Sequence, residues 1–173
     1  MNSLASIAYV YMLGLGCGIW SKKEVIDWCD KVIEVKENPP YEIIEVSLMS
    51  NEKMDDIEVK LFEFSKKVEN NHFVKILFGV LYEKIKRNQL DIEQAIKCST
   101  RLLVQTGLSN EEGYYNLYSM DDSLELAKDG VYGDLTEVED DYLNEISIFR
   151  TFFDEFQRMY LAEMNCEWVS QQF

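Results

Sequence analysis

The sequence predicts an all-α protein, on three observations. Only two prolines, adjacent at Pro39-Pro40, and eight glycines interrupt 173 residues, so long stretches are free of strong helix breakers. Apolar residues in those stretches recur at three- and four-residue spacing, and Leu, Ile, Glu and Lys dominate between the breaks. Capping signals of the S-x-x-E and Asp kind stand at the head of several of them. One domain, 1–173, is expected, because 47% hydrophobic residues fill a core at this length without staples. The expected architecture is a helical bundle or irregular stacked array of about eight to nine helices with a long C-terminal helix. No fixed period recurs to mark a repeat array.

Ser3 to Leu13 reads as a first helix, stopped by Gly14, Gly16 and Gly18. The uncharged run Leu4 to Trp20 lacks a basic flank and falls short of the roughly 20 residues of a membrane span, so a buried helix is expected. Ser21-Lys-Lys-Glu24 has capping-box spacing, and Val25, Trp28, Cys29, Val32 and Ile33 give the helix behind it one apolar face. It should stop before Pro39. Pro40 suits the first turn of a third helix through about Leu48, although Ile43, Ile44 and Val46 are also strand formers. Asn51 is expected to cap a fourth helix carrying Met54, Ile57, Leu61 and Phe64. His72 to Ile85 forms a fifth, with Lys84, Lys86 and Arg87 near its negative end. Asp91 caps a sixth, Ile92 to Gln105, with Gly107 at the stop.

Beyond residue 108 the composition changes. Sixteen Asp and Glu face only Lys128, Arg150 and Arg158 there, so most of the net charge of -15 belongs to 109–173, while 1–108 is near neutral. Ser109-Asn-Glu-Glu112 is expected to open a short helix through about Tyr118. A second should start at Asp121-Asp122 and end near Gly130. Asp134 offers a further cap. Leu143, Ile146, Phe149, Phe153, Phe156 and Tyr160 then form the stripe of one long helix reaching about Glu167.

The chemistry of common sites is missing. Gly14-Leu-Gly16-Cys-Gly18 follows a helix-like run and lacks both the dinucleotide pattern and a P-loop ending. Glu69-x-x-His72 is a single copy of a di-iron spacing that needs two, and His72 is the sole histidine. Cys17, Cys29, Cys98 and Cys166 lie too far apart for a zinc or redox motif, which favours reduced, buried thiols and a cytoplasmic setting. Asp121, Asp122, Asp129 and Asp134 depart from the alternating ligands of a calcium loop. No catalytic residue, metal or cofactor is expected. A pI near 4.4 opposes direct contact with nucleic acid, since carboxylates repel phosphate, and favours a basic protein partner.

The candidate recognition surface is therefore the run Asp121 to Asp141. Its partner-binding residues are expected to be Asp121, Asp122, Asp129, Tyr132, Asp134, Glu137, Glu139, Asp140, Asp141 and Tyr142. Charge runs are commonly solvated faces that aid solubility. Two features set this one apart: the imbalance is local, and Tyr114, Tyr115, Tyr118, Tyr132 and Tyr142 interleave with the acids. Carboxylates steer a basic partner, and tyrosines supply the packed area that anchors it. A DNA mimic would instead need carboxylates spaced like phosphates on a convex surface.

The stretch Trp20-Ser-Lys-Lys-Glu-Val-Ile-Asp-Trp-Cys-Asp-Lys-Val-Ile-Glu34, followed by Pro39-Pro-Tyr-Glu-Ile-Ile-Glu-Val-Ser-Leu48, resembles small helical immunity proteins of bacterial polymorphic toxin systems, including contact-dependent growth inhibition. The resemblance implies a cognate toxin domain, often a basic nuclease, bound and blocked by an acidic partner. It assigns no binding residues, because such interfaces differ between systems. A non-catalytic helical scaffold or adaptor subunit is the alternative.

Overall fold

The computed structural model describes residues 3–65 and 71–164, and every regular element among them is helical. They form nine α-helices: α1 Ser3–Cys17, α2 Lys22–Val35, α3 Tyr41–Ser47, α4 Met54–Ser65, α5 His72–Lys86, α6 Ile92–Gln105, α7 Tyr115–Lys128, α8 Leu135–Ser147 and α9 Arg150–Met164. A single 3-10 turn, Glu112–Tyr114, leads into α7. Glu69 and Cys166 lie outside the described residues, as does the expected helix end near Glu167. None of the described helices is long and apolar enough to cross a membrane.

The chain gathers into two compact units, Met1–Phe73 with Asp154–Phe173, and Val74–Phe153. The boundary does not follow the change in composition at residue 108. The acidic third contributes to both units.

In the first unit α1 packs against α4, and α3 packs on both α2 and α4. Helix α1 is buried nearly all round, which is why it runs through Gly14 and Gly16 instead of stopping at Leu13. Packing outweighs the roughly 1 kcal/mol that each helical glycine costs. The stop comes at Gly18, whose φ of 84° lets Ile19 N and Trp20 N both donate to Gly14 O. The capping box forms as expected: Glu24 N donates to Ser21 Oγ at 3.2 Å and Ser21 N to the Glu24 carboxylate at 2.7 Å. The strand-forming residues of α3 are helical because Ile43 and Val46, one turn apart, are both fully buried. Helix α4 starts at Met54, three residues beyond the expected Asn51 cap. Tyr11 stacks on Trp28 at 4.6 Å between ring centres, beside Trp20. Glu163 is held by Lys36 at 2.7 Å and by the Ser3 hydroxyl, and these partners lower its carboxyl below the usual glutamate range.

In the second unit α6 and α8 both pack on α7. Asp91 caps α6 by accepting from Gln94 N at 2.8 Å, and Gly107 turns the chain with a φ of 72°. The 3-10 turn and one continuous α7, Tyr115–Lys128, replace the two short helices expected from Ser109 to about Tyr118 and from Asp121 to near Gly130. The long C-terminal helix is likewise two, α8 and α9, and α9 with its 15 residues is no longer than α1 or α5. The break falls at Ile148-Phe149, where Phe149 N bonds to Ile146 O and Phe152 N to Phe149 O, tightening the turn. Phe149 is thereby seated on Phe78, 5.1 Å between ring centres, with Tyr114 stacked nearby. Gly79 makes the seat possible: a Cβ there would lie 2.6 Å from Phe149 O and 2.9 Å from Phe153 N.

Candidate functional site

The second unit carries a groove of about 880 Å³ between α7 and α8. Helix α7 presents Asn116, Ser119, Met120 and Ser123, residues spaced for one face of a helix. Helix α8 presents Glu137, Asp141, Asn144 and Glu145, again a single face, adjacent to the buried line Val138, Tyr142 and Ile146. The loop Tyr132-Gly133-Asp134 and the junction residue Ile148 complete the lining.

Local sequence explains the loop. Helix α7 ends at Lys128 with Asp129 as its C-cap, and Gly130 and Gly133 take φ of 65° and 82° on either side of Tyr132. Val131 N and Tyr132 N both donate back to Leu126 O, at 3.0 and 3.3 Å. Between these tight turns Tyr132 is left 78% exposed. Asp134 accepts from Thr136 N and Glu137 N, capping α8 and fixing where its acidic face begins.

Of the ten residues expected to bind a partner, the groove gathers Tyr132, Asp134, Glu137 and Asp141. Asp121, Asp122, Asp129, Glu139 and Asp140 do not line it. Asp140 and Asp141, neighbours in sequence, lie about 100° apart around α8 and fall on different sides of the groove's edge. Tyr142 requires a correction. It is fully buried, its hydroxyl lies 2.7 Å from the Ser99 hydroxyl, and burial pushes its pKa far above the usual tyrosine value. Tyr142 is a core residue and offers nothing to a partner, because its position on α8 shares the stripe of Val138 and Ile146. Tyr114 is also drawn inward, stacked at 5.8 Å on Phe78, whereas Tyr115 stays 64% exposed.

Two residues of the groove escape a reading of the acidic run alone. Glu145 lies beyond Asp141, yet the spacing Glu137, Asp141, Glu145 was available as one turn per step. Ile148, 68% exposed, has no signal in the sequence, where it reads as one more apolar residue of a continuous helix.

Asp134, Glu137, Asp141 and Glu145 form no ion pair among the described residues, and no cation lines the groove. Three cations of the second unit are paired away from the groove: Lys128 with Glu93 at 2.5 Å, Lys97 with Glu125 at 3.7 Å, and Arg150 with Glu83 at 3.4 Å. Across the groove, Asn116 Nδ2 donates to Glu145 at 3.1 Å. Like charges one turn apart destabilise a helix by about 0.2 to 0.5 kcal/mol per pair, so α8 carries two unfavourable pairs. No cluster of three or more His, Cys, Asp or Glu among the described residues is arranged to hold a metal ion. Asp134, Glu137, Asp141 and Glu145 line a concave surface, unlike the convex array a DNA mimic would need. Comparison with known protein families, curated proteins and solved structures finds no match to this chain.

Proposed function

We propose that the protein is a non-catalytic binding module whose α7–α8 groove receives a basic part of a partner protein. The observation that carries this reading is the uncompensated acid of the groove, four carboxylates without a cation beside the exposed side chains of Tyr132 and Ile148. Acid steers the encounter, and the two apolar side chains give area to bury once it is made. From the resemblance of Trp20 to Glu34 and Pro39 to Leu48 to immunity proteins, the partner is a cognate bacterial toxin domain of basic, nuclease type. Binding would place the carboxylates against the Lys and Arg that such a toxin uses for phosphates, and occlude its cleft in the cytoplasm.

The test is co-expression with the open reading frame immediately upstream, followed by pull-down and growth rescue. A toxin-bearing neighbour that is captured and neutralised supports the immunity reading; capture of a metabolic or structural partner supports the adaptor reading instead. Asp141→Lys should weaken rescue and Asp140→Lys should leave it intact, with equal helical circular dichroism. Equal rescue by both variants removes the groove from the proposal. With the purified pair, the association rate should fall as salt rises.

A further inference from the structure

We infer that the groove takes its partner as a single basic amphipathic helix of about three turns, with Lys or Arg at i, i+4 and i+8 set against Glu137, Asp141 and Glu145. This rests on the reading of the groove as a recognition site and adds the form of the segment it receives. The argument begins with backbone hydrogen bonds. Both walls are helices, whose main-chain groups are already bonded along their own axes, so neither offers an edge to an extended strand. The side-chain donors of the α7 wall are also engaged. Ser119 Oγ donates to Asn116 O at 2.9 Å, Ser123 Oγ to Ser119 O at 3.2 Å, and Asn116 Nδ2 to Glu145. What the α8 wall adds is chiefly carboxylate, which accepts and cannot donate. An extended segment would therefore bring carbonyls with few donors to meet them, whereas a helix satisfies its own backbone and spends its side chains on the walls.

Spacing and shape agree with that choice. Three carboxylates one turn apart on α8 rise by about 6 Å per step, the same rise that separates residues four apart on a helix lying alongside. Two packed helices with a groove between them form the seat of a third. The half-buried Met120 and the buried Val138, with Tyr132 and Ile148 exposed, call for an apolar stripe beside the basic one. Net charge favours a basic partner over a second copy of the chain, which would bring a further -15.

The experiment uses the full chain and three labelled synthetic peptides of about fifteen residues, followed by fluorescence anisotropy. One peptide carries Lys at i, i+4 and i+8 beside a Leu stripe. The second has the same residues shuffled so that the cations scatter around the helix, and the third is the first with two central prolines. The registered peptide should bind about tenfold more tightly than either control, and the Glu137→Gln/Asp141→Asn/Glu145→Gln chain should lose that preference. Tyr132→Ala should weaken the registered peptide as well. Controls that bind as tightly as the registered peptide overturn the helical register while leaving a basic partner for the groove. A preference that survives the triple substitution places the helix elsewhere and overturns the inference. Failure of every basic peptide to bind overturns both the inference and the reading beneath it.

Discussion

The two faces of α7 treat charge in opposite ways. Toward α6 the acids are matched: Glu93 meets Lys128, and Glu125 meets Lys97. Toward α8 four carboxylates stand together with no cation. One helix thus separates a neutralised packing face from an uncompensated open one. Among the described residues, cations sit where α6 and α7 pack and are missing from the lining of the groove. The first unit repeats the matched pattern at Glu163, held by Lys36 and Ser3.

The largest effect is expected where α5 seats the α8–α9 junction. Gly79→Ala places a Cβ against the backbone of Phe149 and Phe153, and overpacking against backbone costs about 3 kcal/mol. Urea unfolding should show that loss; an unchanged midpoint would mean that the α8–α9 junction is not seated on α5. Tyr142→Phe is next. It strands the Ser99 hydroxyl in the core and should lower stability by about 1 to 3 kcal/mol, while affinity for a partner at equal folded fraction stays the same. A selective loss of affinity would return Tyr142 to the recognition surface.

Acid pH sharpens the contrast between matched and unmatched carboxylates. The folded pKa of Glu163 is depressed, so its contribution to stability is present above the ordinary glutamate value and lost as pH falls through the lower folded value. Glu163→Gln should flatten the acid side of the stability profile, and a profile with unaltered slope would deny the Lys36 and Ser3 contacts their role. The smallest effect has the opposite sign. Neutralising Glu137, Asp141 and Glu145 together as their amides relieves two like-charge pairs and should stabilise the chain by about 0.5 to 1 kcal/mol. A loss of stability would show that these acids serve the fold.

Much of the helical pattern was legible because its signals are local. The Ser21 capping box, the Asp91 and Asp134 caps and the turn at Gly107 involve residues within a few positions of each other, and all four stand where the sequence puts them. The candidate site was legible in part for the same reason. Glu137 and Asp141 share a face by helical period, and the spacing of Tyr142 from Val138 and Ile146 marks it as core, a signal that the acids on either side of it mask.

An all-helical chain, its caps and its concentration of acid beyond residue 108 follow from the residues alone. Tertiary structure decided the rest: that α1 continues through two glycines, that α8 and α9 are separate, and that Ile148 faces solvent. The reason is physical. A cap or a helical period is set by neighbours in the chain, but the backbone of Phe149 finds room against α5 because Gly79, seventy residues earlier, carries no Cβ.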